Sequence, residues 1–229
     1  MEPGGLLLDI GAGTGEIGSE ISRLGARYVG LDLSLPMLRV FQRGQGSISS
    51  PVSLVVADAN APWPIADRCV KAIFGSRSLH LLSLERLIEE AFRVLGSDGA
   101  MLVVGRVRRD SQSVKAKMRR EMLRLLGASR AASSGGDPSR QLIEALVQRG
   151  AAAFAPLVAA RWTTAHSPAD SLTSWRSKPG LAGATVPEPF KAEVLSKLEQ
   201  WAVDQFKSLD SRFQSTEEYV LEGARLSAP

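Results

Sequence analysis

The chain holds one cysteine, Cys69, and two histidines, His80 and His166, in 229 residues. A lone cysteine cannot close an internal disulfide, which fits a reducing compartment. One cysteine and two distant histidines do not make a standard zinc site, so no metal is expected. Aromatic residues are only 6% of the chain, and the aromatic-rich pattern of an RNA-recognition sheet is missing. Long hydrophobic runs are missing as well. Leu6–Leu8 and Ala151–Ala155 are typical of those present, far short of the roughly 20 residues that a spanning helix needs. The chain does not open on a basic segment followed by an apolar one, so no secretory signal is read and a cytoplasmic location is expected. Internal repeats, coiled-coil heptads, a Ser-His-Asp spacing and a Gly-x-x-x-x-Gly-Lys-Ser/Thr phosphate loop are all absent.

What remains is ordinary for a globular protein: 44% hydrophobic and 23% charged residues,. The length suits one α/β domain over 1–229. Residues 1–105 read as a cofactor-binding half, and 106–229 as acceptor-side helices and final strands. The net charge is +4, and the basic excess is local. Arg106, Arg108, Arg109, Lys115, Lys117, Arg119, Arg120, Arg124 and Arg130 are opposed only by Asp110 and Glu121. Such a stripe is either a solvated face or a surface for an anionic partner. It is expected to lie mostly on the helix after the fifth strand.

Strand and helix patterns alternate through the first hundred residues. Leu6–Ile10, Arg27–Leu33, Val52–Ala57, Val70–Phe74 and Ala100–Val104 read as strands. Glu16–Leu24, Met37–Gln42 and the periodic run from Leu84 to Leu95 read as helices, with Ser34 and Ser83 as caps and Gly25 and Gly96 as stops. Ser97-Asp98-Gly99 reads as a turn. Strand and helix repeated in this way imply a parallel sheet covered on both faces. Farther on, Val114, Met118, Met122 and Leu125 mark an amphipathic helix. Ser133–Gly136 reads as a break and Asp137-Pro138 as a helix start. Phe154–Thr163 reads as a strand that Pro156 confines to an edge or a bulge. Ser167–Pro189 reads as loop-rich, Phe190–Leu209 as a long helix, and Glu218–Leu226 as the last strand.

The chemistry concentrates at strand ends. Asp9-Ile10-Gly11-Ala12-Gly13-Thr14-Gly15 is a glycine turn between a strand and a helix, which lets backbone approach a ligand closely. Its third glycine falls one residue earlier than in the dinucleotide fingerprint Gly-x-Gly-x-x-Gly, which disfavours a nicotinamide-dependent oxidoreductase. Asp32 ends the second strand, roughly 20 residues after the turn, where an acid can accept both ribose hydroxyls. Asp58 ends the third strand and can accept from an adenine amino group. Each acid alone is equally a surface or capping residue; their joint spacing favours a nucleotide-like site.

These segments resemble the class I S-adenosylmethionine-dependent methyltransferases, in the small-molecule group related to ubiquinone and menaquinone methyltransferases. The resemblance rests on Leu8–Gly15, Gly30–Ser34 with Pro36-Met37-Leu38, Ala57-Asp58-Ala59, His80-Leu81-Leu82, and Phe92–Leu95 with Asp98-Gly99. It covers about residues 5 to 105. It implies a Rossmann-like three-layer sandwich, with a mostly parallel seven-stranded sheet, an antiparallel edge strand and helices on both faces. The implied cofactor is S-adenosylmethionine. Asp9, Gly11, Ala12, Gly13 and Thr14 would wrap its amino-acid end, Asp32 the ribose, Leu33 and Met37 the adenine face, and Asp58 and Ala59 the adenine edge. Ser76 would lie near the methionine carboxylate or the reacting centre.

The implied reaction is in-line transfer of the sulfonium methyl to an O, N or C nucleophile of a small-molecule acceptor. His80 is a candidate general base, or a structural histidine of the segment. Arg77 can pair with an acceptor anion or with a surface acid, and Trp63 can edge the adenine or pack a loop. Trp162, Trp175 and Arg176 fall in the variable region where relatives build the acceptor pocket, and packing roles are equally open to them. His166 reads as an exposed loop residue. Relatives usually carry helices ahead of the first strand. Here the later half, a partner, or a segment upstream of this start is expected to supply that cover. Two alternatives stand beside this reading: an RNA methyltransferase using the basic stripe, and a non-catalytic scaffold.

Overall fold

Five short apolar segments, each too brief for a helix and ending in a turn, form the core of the sheet. The computed structural model describes residues 5–45, 52–96, 99–127 and 138–226, with the side chain of His80 outside the described set. In chain order the elements are β1 Leu6–Ile10, α1 Gly18–Arg23, β2 Arg27–Asp32, α2 Leu35–Gly44, β3 Val52–Val56, β4 Ala72–Ser76, a 3-10 turn Leu79–Leu81 and α3 Leu84–Val94. There follow β5 Met101–Arg109, α4 Val114–Leu125, α5 Pro138–Gln148, β6 Ala152–His166, α6 Pro168–Arg176, α7 Glu188–Phe206 and β7 Phe213–Arg225. The sheet order is β3-β2-β1-β4-β5-β7-β6. Strands β3, β2, β1, β4 and β5 are parallel. β7 runs against β5, since Arg106 meets Glu222 whereas Arg109 meets Glu217. β6 runs against β7, since Arg161 meets Glu218 whereas Thr164 meets Ser215. The sheet is therefore mixed and mostly parallel, with an antiparallel pair at one edge, as expected.

The described residues divide into two units, one from 1–106, 136–157 and 220–229, the other from 107–135 and 158–219. In the first, alternation along β1 sends Leu8 and Ile10 to one face and Leu7 and Asp9 to the other. Leu8 and Ile10 join Leu87, Ile88 and Ala91 of α3 and Leu142 and Leu146 of α5. Leu7 joins Tyr28, Phe41 of α2 and Ile17 and Ile21 at α1. One helical layer thus covers each face. In the second unit Val114, Met118 and Met122 of α4, Leu172 of α6, and Val194, Leu195 and Leu198 of α7 share a separate core.

Local signals explain most boundaries. The Ser34 and Ser83 hydroxyls accept from the N–H groups of Met37 and Arg86, as capping requires,. Gly25 takes φ +85 after α1. Pro156 lies on the edge strand β6, where a missing N–H is tolerated,. Asp98, Arg130, Asp137 and the 133–136 break lie outside the described residues.

Two expectations need correction. Ser167–Pro189 is not all loop: Pro168–Arg176 is helical, with a capping box in which the Ser167 hydroxyl accepts from the Asp170 N–H and the Asp170 carboxylate from the Ser167 N–H. The Ser-Pro-Ala-Asp sequence carries that signal, with Pro at the first helical position. The other is the extent of β5, which runs past Val104 to Arg109, although the basic stripe is mostly helical as expected, with Lys115, Lys117, Arg119, Arg120 and Arg124 on α4. Arg106, Arg108 and Arg109 are strand residues paired with Glu222, Glu218 and Glu217. Their acids lie more than a hundred residues away, which hid the pairing from local inspection.

Candidate cofactor site

The carboxyl ends of β1, β2, β3 and β4 carry the site, at the point where the sheet order reverses from β1 to β4. Ligands of open α/β sheets bind at such a reversal. Asp9, Gly11–Gly18, Phe74, Ser76 and Arg77 line an open cleft. The glycine turn is held from both sides. The Gly11 and Ala12 N–H groups donate to the Leu31 carbonyl at 2.8 and 3.2 Å, and the Ser78 hydroxyl donates to the Ile10 carbonyl at 2.6 Å. Gly15 takes φ +80, and a Cβ there would stand 2.1 Å from the Phe41 ring. Only glycine fits, so the turn can lie flat over α2's aromatic anchor.

Asp32 ties the second strand to this turn. One carboxylate oxygen accepts from the Gly13 N–H at 2.8 Å, the other from the Ser34 N–H at 2.7 Å. Each oxygen retains acceptor capacity, since a carboxylate can accept about four hydrogen bonds. Asp9 is only 4% exposed and accepts from the Tyr28 hydroxyl at 2.5 Å. Burial, partly offset by the Tyr28 hydrogen bond and reinforced by Asp32, pushes the Asp9 carboxyl up to about 6. Burial and the adjoining Asp9 raise the Tyr28 phenol far above its usual range, so it stays a donor.

The remaining residues singled out by sequence fall at stated places. Asp58 is exposed after β3, with one oxygen accepting from the Asn60 N–H at 2.9 Å. Ala59 is buried behind it, and Leu33 and Met37 are 71% and 48% exposed. Trp63 packs a loop: it is 3% exposed, and its indole N–H donates to the Ala59 carbonyl at 3.0 Å. Arg77 takes φ +60 and pairs with exposed Glu16 at 3.2 Å. His80 sits on the turn Leu79–Leu81, and its side chain lies outside the described residues. Trp162, Trp175 and Arg176 belong to the second unit. Trp162 is 36% exposed on β6, Trp175 packs on the core of that unit, and the Arg176 guanidinium is held by Glu199 at 2.5 Å. His166 is half-buried at the end of β6 near Asp170. Sequence reasoning did not find Tyr28, Phe41, Glu16, Phe74 or Ser78, whose partners are distant or whose role is packing.

Residues 8–103 match the profile described as a methyltransferase domain. The chain is also similar, at 35% identity over 103 residues, to the demethylmenaquinone methyltransferase of Thermobifida fusca. That match covers 44% of this chain and 43% of the relative, so it spans less than half of either. Among solved structures, the BH2331 protein of Bacillus halodurans C-125 aligns over 100% of this chain and 95% of its own at a TM-score of 0.62 and 16% identity. The geranyl diphosphate C-methyltransferase of Streptomyces coelicolor A3(2), solved with S-adenosyl-L-homocysteine, aligns over 98% and 71% at 0.51 and 17% identity. At such identities the likeness is one of fold. The matched segment contains Asp32, Asp58 and every residue that lines the cleft. No helix among the described residues is long and apolar enough to cross a membrane.

Proposed function

We propose that the chain is a methyltransferase that uses S-adenosylmethionine and acts on a small-molecule acceptor. The observation that carries this reading is the Asp32 carboxylate bound to the Gly13 N–H, which ties the end of β2 to the glycine turn lining the cleft, within the segment that matches methyltransferase domains. The donor set suits the cofactor. Its ammonium, sulfonium, ribose diol and adenine amine are all cationic or hydrogen-bond donors, and Asp9, Asp32 and Asp58 are acceptors at three successive strand ends. Gly11, Gly13 and Gly15 all take positive φ, and the Ser78 and Phe41 side chains pack against the turn where a Cβ at Gly11 or Gly15 would stand.

When bound, the cofactor supplies an electrophilic methyl carbon. Asp9 would hold the amino group, Asp32 the ribose and Asp58 the adenine edge, with Leu33 and Met37 as exposed apolar surface for the ring. Ser76 and Arg77 would face the reacting end. Chemistry of this kind asks the protein mainly for alignment and exclusion of water. His80 remains the candidate base for a hydroxyl acceptor, and Trp162, Trp175 and Arg176 remain candidates for acceptor contacts. Arg176 would have to exchange Glu199 for such a role. The name of the Thermobifida relative points to quinol-like acceptors, and a cytoplasmic setting fits the single cysteine.

An RNA acceptor is less favoured, because three of the nine cations in the stripe are neutralised on β5 and β7. The test is formation of S-adenosylhomocysteine on mixing the chain, S-adenosylmethionine and a panel of quinols, phenols, amines and RNA. Acceptor-dependent product from one small-molecule class supports the reading. Turnover of RNA alone, or of nothing in the panel by a chain that binds the cofactor, overturns it.

A further inference from the structure

Tyr28 is 1% exposed and lines no part of the cleft, yet its hydroxyl reaches Asp9. Its position is built from three sides. Tyr28 stands on β2 opposite Leu7 of β1, so its ring lies on the same face of the sheet as Asp9. Phe41 of α2 packs edge-on against that ring at 5.7 Å, with an interplanar angle of 75°. Gly18 opens the remaining side: a Cβ there would lie 2.3 Å from the Tyr28 hydroxyl. The phenol therefore has one place for its oxygen and one acceptor in reach. The hydroxyl holds one Asp9 oxygen, and Asp9 lines the cleft.

We propose that Tyr28 is a positioning residue for the cofactor, fixing the Asp9 carboxylate as a charged acceptor in the wall of the cleft. This rests on the S-adenosylmethionine reading. An ammonium group is held by an ionised Asp9 and not by a neutral one. The hydroxyl stabilises the ionised form, while burial and Asp32 oppose it,. The other charged groups about the cleft are Glu16, from the loop before α1, and Arg77, after β4, which pair with each other. β4 places Phe74 beside Asp9, and α2 contributes the uncharged Phe41. Tyr28 thus donates to Asp9 from the fold's aromatic core and links that core to the ionisation of the site.

The experiment is calorimetric titration of the full chain with S-adenosylmethionine from pH 5.0 to 7.5, for wild type and Tyr28→Phe. Wild-type affinity should climb as pH passes about 6, where Asp9 ionises. Losing the hydroxyl should move that midpoint upward by about one pH unit. The variant then binds about tenfold more weakly at pH 5.0 and within about threefold of wild type at pH 7.5. Equal loss at every pH would make Tyr28 a packing residue and overturn the proposal. The pH dependence of urea unfolding, measured without cofactor, reads the same midpoint independently. If wild type binds no cofactor, the function proposed above fails, and the unfolding profiles still decide whether Tyr28 sets the Asp9 ionisation. Should Tyr28→Phe fail to fold, Gly18→Ala, which crowds the hydroxyl, must shift the same midpoint upward; an unmoved midpoint overturns the proposal.

Discussion

Replacing Asp9 with Asn should stabilise the fold while abolishing its proposed ligand site. The Asp9 carboxyl stands at about 6 in the folded chain against an ordinary 3.8. At 1.36 kcal/mol per pH unit, keeping it charged costs the folded state about 3 kcal/mol. Asn removes that charge and keeps an oxygen for the Tyr28 hydroxyl. The stronger bond that Tyr28 makes to the charged form is already contained in that figure,. The gain at pH 7.5 is about 3 kcal/mol, or a rise of about 6–12 °C in Tm for a chain of this size. The sign follows from linkage. Below 3.8 the carboxyl is neutral whether folded or unfolded, and the native state bears no penalty. As pH rises through about 6 the penalty becomes complete, so wild-type stability from this group falls between those values. Thermal unfolding of both proteins from pH 4 to 8 should show curves that meet near pH 4, diverge up to about pH 6 and keep a constant gap above it,. An Asn variant less stable than wild type at pH 7.5, or a gap that ignores pH, would refute the reasoning.

Other perturbations separate the site from its support. Asp32→Ala leaves the Gly13 and Ser34 N–H groups without acceptors; it should lower stability by about 1–3 kcal/mol in urea unfolding and remove cofactor binding. Gly15→Ala drives a methyl into the Phe41 ring at a positive φ, and should cost about 3 kcal/mol or more, read as a lowered Tm. Arg93→Met strands buried Glu90, which Arg93 and the Trp63 N–H now satisfy; unfolding should become about 3 kcal/mol easier. Ser167→Ala breaks the capping box of α6 and should cost about 1 kcal/mol in the second unit, seen as faster hydrogen exchange over Ala169–Leu172.

How much of this was legible in sequence depends on how far apart the interacting residues lie. The glycine turn, the strand-ending acids and the caps at Ser34 and Ser83 are local patterns, and the structure places the turn, Ser76 and Arg77 on one cleft with Asp32 bonded to the turn. The α6 capping box was equally local and was missed because the flanking Pro and Gly residues read as loop. The extent of β5 was not local, since its arginines find their acids on β7. The support under the turn was least legible. Tyr28 reaches Asp9 across 19 residues, Phe41 fills the space above Gly15 from another helix, and Ser78 bonds Ile10 across 68. Residues of this kind show only ordinary hydrophobic or polar character in sequence, and the sheet order alone brings them together.

The central claim is that the cleft binds S-adenosylmethionine through Asp32 and the glycine turn. The measurement that tests it most directly is calorimetric titration of the purified full chain with S-adenosylmethionine at pH 7.5, with NAD and the Asp32→Ala variant in parallel. The account predicts one-site binding of S-adenosylmethionine in the micromolar range, no heat from NAD, and loss of binding in the variant. Binding of NAD in its place, binding unaffected by Asp32→Ala, or no binding by a folded wild-type chain would contradict it.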